Sequence, residues 1–290
     1  MLCLFLICAP LSASAERLTH ELAVDVRPDS GEISVEDTVR VEDPTAAFEF
    51  VLNAGLSVQT ADGTLQTLAT SADGLRKAYR VSMQTPGRSL TLRYHGRPSF
   101  SGQRTHGGMP VGSVSEQGVY LDGASAWFPL FDLPVHQVRM AVSLPAGWQA
   151  VGVGGRSQQD GQVTWTSDQP HDDLYLIANR FTRYHRSHGA IDLSVWLLED
   201  AAALAQTYLG LMGDYIDHYS RLIGDYPYAK FAVVENPWQT GFGMPSFTLL
   251  GSRVMRLPFI PYTSLPHEIL HNWWGNGVWV DYEEGNWSEG

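Results

Sequence analysis

The chain has 290 residues, 44% of them hydrophobic and 17% charged, which is enough apolar material for one large core or two ordinary ones. A formal net charge of -12 leaves no basic surplus to neutralise phosphates, so a general nucleic-acid binder is excluded. Both cysteines, Cys3 and Cys8, lie in the opening segment, so a chain that loses this segment has neither a disulfide nor thiol chemistry.

That segment, "MLCLFLICAPLSASA", carries no charged side chain. Its apolar run from Leu2 to Leu11, with small residues at Ala13 and Ala15, reads as a secretory signal peptide over residues 1–15, cut after Ala15. No Lys or Arg precedes the run, and Ile7 stands where a lipid-modified Cys8 would want a small residue. The run is too short to span a bilayer, and no later stretch is apolar for long enough. The expected location is secreted or periplasmic, without stable membrane insertion after signal removal.

From residue 16 to about 188 the hydrophobic period is two. "LTHELAVDVRP" alternates Leu18, His20, Leu22, Val24 and Val26, and "GEISVEDTVRVE" places Ile33, Val35, Val39 and Val41 in the same way. "FEFVLN", "AYRVSM", "LTLRYHG", "VRMAVSLP", "QVTWTS", "LYLIANRF" and "IDLSVWLL" follow, separated by Gly, Pro, Asp and Asn. Many short strands with turn signals between them predict an antiparallel β-sandwich or saddle domain. The glycine-rich stretch 101–118 is predicted to be a long loop, since it lacks the strand-then-helix setting of a phosphate loop.

After Asp200 the period changes. Leu204, Tyr208, Leu211, Tyr215, Tyr219 and Leu222 recur at threes and fours, which predicts an amphipathic helix capped by Asp200 and stopped by Gly224, its aromatic stripe packed in a core. "KFAVVE" and "SFTLLG" are predicted strands around the turn-rich "NPWQTGFGMP". Mixed strands and helices after an all-β region imply a second domain over residues 189–290, with the boundary near 186–190 in "RSHGA". The fold class is therefore α+β, with two domains.

"TSLPHEILHNWWGN" carries the chemistry. Ser264 is a candidate cap, Pro266 is tolerated in a first turn, and Gly275 and Gly277 end the segment, so a short helix is predicted. His267 and His271 then share one face. Neutral imidazoles are zinc ligands, and a catalytic zinc takes three protein ligands and keeps one open position. Glu268, beside the first histidine, is placed to be the general base on a zinc-activated water. Glu283, Glu284 and Glu289 are the candidate third ligands.

These residues resemble the zinc site of the M1 metallopeptidases, the gluzincin aminopeptidases. "HEILHNWWGN" is similar to the family's helix, and Trp287-Ser288-Glu289-Gly290 to the context of its glutamate ligand. Seventeen residues lie between His271 and Glu289, one fewer than in the family. "WFPLFDLP" (127–134) resembles a segment of the family's amino-terminal β-domain. "QTGFGMPSFTLLGS" (239–252) lies where the family has a substrate loop antiparallel to the bound peptide. The resemblance implies a β-saddle domain followed by the first part of a thermolysin-like domain. It implies one Zn2+ held by His267, His271 and Glu289, a peptide or protein substrate, and a groove lined by Gly241, Gly243 and Met244.

Two departures stand out. Pro245 occupies the position of the family glutamate that holds the substrate's free amine, which puts strict aminopeptidase specificity in doubt, and Glu235 is the nearest acid upstream. Gly290 follows Glu289 directly, so the chain is expected to be incomplete, without the family's downstream tyrosine that serves the oxyanion. The rival expectation is a zinc-bearing but catalytically impaired protein that holds a peptide by strand addition. "HRSH" (185–188) is expected to be a solvated loop, Asp192 and Asp200 turn and cap residues, and Trp273 and Trp274 packing behind the metal helix.

Overall fold

The computed structural model describes residues 17–102, 108–133, 135–171, 173–239 and 241–277. The expected signal peptide and the cleavage after Ala15 lie outside the described residues.

In chain order the first region supplies β1 (Leu18–Arg27), β2 (Glu32–Asn53), β3 (Leu56–Gln59), β4 (Gly63–Thr70) and β5 (Arg76–Gly96). It continues with β6 (Ser113–Ser115), β7 (Gly118–Leu121), β8 (Val135–Ser143), β9 (Gln149–Gly152), β10 (Gly155–Gln159), β11 (Gln162–Ser167) and β12 (Leu176–Asn179). The second region supplies β13 (Thr182–His188), β14 (Ile191–Leu197), α1 (Ala202–Leu222), β15 (Lys230–Asn236), β16 (Gly241–Met244), β17 (Phe247–Gly251) and α2 (Ser264–Leu270).

Eight strands form one sheet in the order β10-β11-β8-β1-β2-β5-β3, with β4 also on β5. Four form a second in the order β6-β7-β12-β9, and five form a third in the order β13-β14-β15-β17-β16. The first sheet is antiparallel except where β1 and β8 run parallel. The segments expected to be four strands around residues 32–96 are two long ones, β2 and β5. Pro44 and Pro86 flank the irregular pairing of Thr45 with Gly87, where a missing N–H is harmless. The glycine-rich stretch is loop only in part, since its end forms the β6–β7 hairpin.

The third sheet begins at Thr182, ahead of the boundary expected near 186–190. "RSHGA" lies inside the β13–β14 hairpin, with residues 186–188 in β13 and Gly189-Ala190 at the turn, where Gly189 has a positive φ of 57°. "HRSH" belongs to β13. There Asp192 pairs with Arg183 at 2.5 Å and His185 at 3.5 Å, and His188 pairs with Asp217 of α1 at 2.7 Å. Asp192 is thus a strand residue with charged partners.

One core fills the β-region and one face of the third sheet, including Trp165, Trp196, Val234, Phe247 and Leu249. A second lies under α1 and α2 on the other face. In α1 the buried stripe is Ala205, Tyr208, Leu209, Met212 and Ile216, rotated from the expected one, and Leu222 is exposed. Burying each of Leu209, Met212 and Ile216 contributes roughly 1.5–3 kcal/mol. Asp200 does not cap α1, whose N-cap is Ala201, because its carboxylate bonds the Tyr184 hydroxyl instead. Gly224 follows the helix with φ 136°. No helix among the described residues is long and apolar enough to cross a membrane.

Candidate metal centre

The short helix α2 carries His267 and Glu268, and His271 sits at its C-cap. Thr263, rather than Ser264, is the N-cap, and it makes no side-chain cap bond. After Leu270 the chain tightens: the amides of Asn272 and Trp273 reach back three residues, to Ile269 and Leu270, at 3.1 and 3.0 Å. Trp273 anchors the segment by packing T-shaped against Tyr219 and Tyr226 and donating its Nε1–H to the Gly224 carbonyl at 3.1 Å. That is the expected packing role.

The helical spacing brings the two histidines together. Their Nε2 atoms stand 3.0 Å apart, with the ring planes at 85°. His271 Nδ1 lies 3.2 Å from the Trp274 carbonyl. Nδ1 therefore carries the proton, which leaves Nε2 as a bare donor atom. The two Nε2 atoms are within hydrogen-bond distance, and with both rings protonated on Nδ1 the same spacing would present two lone pairs to one cation. One tetrahedral zinc at about 2.0–2.1 Å from each nitrogen separates the pair by about 3.3 Å, so the histidines fit a shared ion after a shift of a few tenths of an ångström. Among the described residues no group of three or more His, Cys, Asp or Glu is arranged for a metal. Glu283, Glu284 and Glu289 lie outside the described residues.

The Glu268 side chain faces β16, the edge strand of the third sheet. A Cβ on Gly243 would stand 2.8 Å from Glu268 Oε2 and 3.3 Å from His271 Cδ2, and one on Gly241 would stand 3.9 Å from Glu268 Oε1. Only glycine at position 243 lets backbone pass so close to the carboxylate. Burial pushes the Glu268 carboxyl above the ordinary glutamate range, and the two histidines and the Thr248 hydroxyl oppose that rise.

Met244 departs from its expected place. Along β16 the residues alternate, so Gly241 and Gly243 are exposed while the Met244 side chain is buried in the β-region core, 3% exposed. It does not line the groove. Glu235 is committed elsewhere: its Oε2 accepts from the Leu198 amide at 2.8 Å and its Oε1 pairs with Arg256 at 2.5 Å. Three residues were not foreseen. Thr248 follows from the alternation of "SFTLLG", which puts it on the α2 side, opposite Phe247 and Leu249. Ser246 and Asn272 carry no sequence signal of their own.

No family model matches the sequence, and no curated protein matches it. Solved structures do match. An M1 zinc metallopeptidase from Deinococcus radiodurans aligns with a TM-score of 0.66 at 20% identity, over 91% of this chain and 65% of that one. The chain shares the M1 metallopeptidase fold. A mutant of the Deinococcus protein bound to a Tyr-Ser-Ala substrate aligns at 0.64 and 17% identity, over 91% of this chain and 66% of that one. Yeast LTA4 hydrolase aligns at 0.65 and 13% identity, over 90% of this chain and 44% of that one. At these identities the likeness is one of fold. The chain spans between 44% and 66% of the length of these proteins.

Proposed function

We propose that this chain supplies the base and zinc ligands of a secreted or periplasmic zinc metallopeptidase that hydrolyses peptide bonds. The observation that carries the reading is the convergence of His267 and His271 Nε2, 3.0 Å apart, with the Glu268 carboxyl packed between them and the glycines of an edge strand.

In this reading His267, His271 and Glu289 hold one zinc. A zinc ion there supplies Lewis acidity, polarising the scissile carbonyl and lowering the pKa of water to about 7. The chain's own residues do the rest. Among the described residues β16 pairs only with β17, so its outer edge can add an extended peptide as a further strand. The exposed glycines let that backbone lie against Glu268. The Glu268 carboxylate takes a proton from the attacking water and returns it to the leaving amine.

Pro245 stands in the β16–β17 turn, and both oxygens of Glu235 are occupied. Neither offers a carboxylate to a substrate ammonium, so the described residues of the groove set no strict demand for a free amino end. The free edge of β16 also serves the rival reading, peptide binding without turnover. Zinc-loaded full-length protein separates the two: cleavage of a peptide that Glu268→Gln still binds but leaves intact supports the peptidase. Binding without cleavage by the wild type supports the rival.

A further inference from the structure

Behind the groove strand runs a buried polar chain that the proposed chemistry does not use. Met244 pairs with Phe247, so β16 and β17 are joined by a two-residue turn, Pro245-Ser246. Proline presets the first turn position, and Ser246 has φ 72° at the second, a place that favours Gly or Asn. A fully buried serine is held there against its backbone preference.

What holds it is specific. Lys230 Nζ donates to Ser246 Oγ at 2.6 Å and to the Ser246 carbonyl at 3.2 Å. Ser246 Oγ also accepts from the Gly154 amide at 3.1 Å, which ties the turn to the β-region. The Ser246 amide donates to Asn272 Oδ1 at 2.9 Å. The Asn272 amide group in turn donates to the carbonyls of Ile269 and Glu268, at 2.9 and 3.3 Å. One connected set of bonds therefore runs from β15 through the β16–β17 turn into the last turn of the helix that bears both histidines. Lys230 is 1% exposed, lies 4.9 Å from the Phe247 ring and 5.3 Å from the Trp165 ring, and forms both of its ammonium hydrogen bonds with Ser246. Burying an ammonium among apolar groups is a poor route to stability, since a hydrophobic side chain of similar size serves better. Its use here is geometric.

We propose that Lys230, Ser246 and Asn272 are positioning residues that set the gap between the groove strand and the metal helix. A peptide laid on β16 then meets Glu268 in register. The inference rests on the peptide-groove reading above. A shift of Ser246 carries Gly243 with it, and the space over Glu268 leaves little room for such a shift.

The test uses Ser246→Gly and Lys230→Met in the full-length, zinc-loaded protein. Glycine adopts the same φ without strain but lacks the hydroxyl. The expected result for Ser246→Gly is a lowered melting temperature, because Lys230 Nζ and the Gly154 amide lose their buried acceptor, with unchanged zinc content, a peptide KM raised about tenfold and a kcat within about twofold. Lys230→Met should raise KM in the same way. A KM within about twofold of wild type in both variants would overturn the positioning role, and a loss of melting temperature with no change in KM would mark the network as structural. Should the wild type cleave no peptide, the peptidase reading fails, and amide hydrogen exchange over residues 241–247 decides the positioning role alone. Exchange about tenfold faster in both variants, with α1 unchanged, supports it, and unchanged exchange overturns it.

Discussion

Gly243 and Glu268 approach so closely that a Cβ on the glycine would stand 2.8 Å from the carboxylate Oε2. The atom displaced is the far end of a side chain, so Gly243→Ala should fold normally and move the base. The expected outcome is a fall in kcat/KM of about tenfold or more, because misplacing a catalytic group by less than an ångström is already costly. Gly210→Ala, on α1, is the control. Its Cβ would meet nothing within 4 Å, and its kcat/KM should stay within about twofold of wild type.

The pH profile follows from the same carboxyl. Burial favours the neutral acid, and a base must be deprotonated, so activity is lost as pH falls through the pKa of this carboxyl. The Thr248 hydroxyl, which lies 3.0 Å from the Phe242 carbonyl, favours the charged form when it turns to the carboxylate. Thr248→Val should therefore move the acid limb of kcat/KM to higher pH. A limb that stays in place or moves to lower pH would show that Thr248 does not bond the carboxylate in the working site.

Substrate choice is read at Pro245. A desolvated carboxylate–ammonium contact is worth roughly 1.5–3 kcal/mol, or about one to two orders of magnitude in rate. Proline cannot make that contact, and Glu235 is bound to Arg256 and the Leu198 amide. One peptide assayed with a free and with an acetylated amino end should show only a small preference. A preference above about a hundredfold would mean that another acid takes the amine.

His171 is buried, with Nε2 2.7 Å from Ser167 Oγ and its ring stacked on Tyr228. Desolvation, with help from the Lys230 charge, pushes its pKa down from 6.5 to about 4. A depressed histidine contributes stability that is present above its unfolded value and lost as pH falls from about 6.5 towards about 4. The full shift corresponds to roughly 3 kcal/mol. His171→Phe keeps an aromatic ring beside Tyr228 and cannot protonate. Denaturation midpoints at pH 7 and pH 4.5 should fall further in the wild type than in the variant, and equal falls would count against this assignment.

The parts of the molecule that were legible in the sequence are those with a local period. The alternation of β1, the long helix α1 and the four-residue spacing of His267 and His271 all follow from one element at a time. What was not legible is what distant segments do to one another. Asp200 looked like a helix cap, but Tyr184 takes its carboxylate across the hairpin. Met244 was assigned to the groove by motif, although the alternation in β16 turns it inward. Pro44 and Pro86 looked like strand breaks, but they sit together at one irregularity, where the ladder does not need their amides. The Ser246–Asn272 bond joins positions 26 apart, and Lys230 is a lone basic residue in an apolar strand. No local pattern marks any of them.

The paired histidines, and not Glu268, are the residues proposed to hold zinc. Elemental analysis of purified full-length protein tests this assignment directly, for wild type, Glu268→Gln and His271→Ala. About one zinc per chain is expected in the first two and essentially none in the third. Equal zinc in His271→Ala and wild type would contradict it.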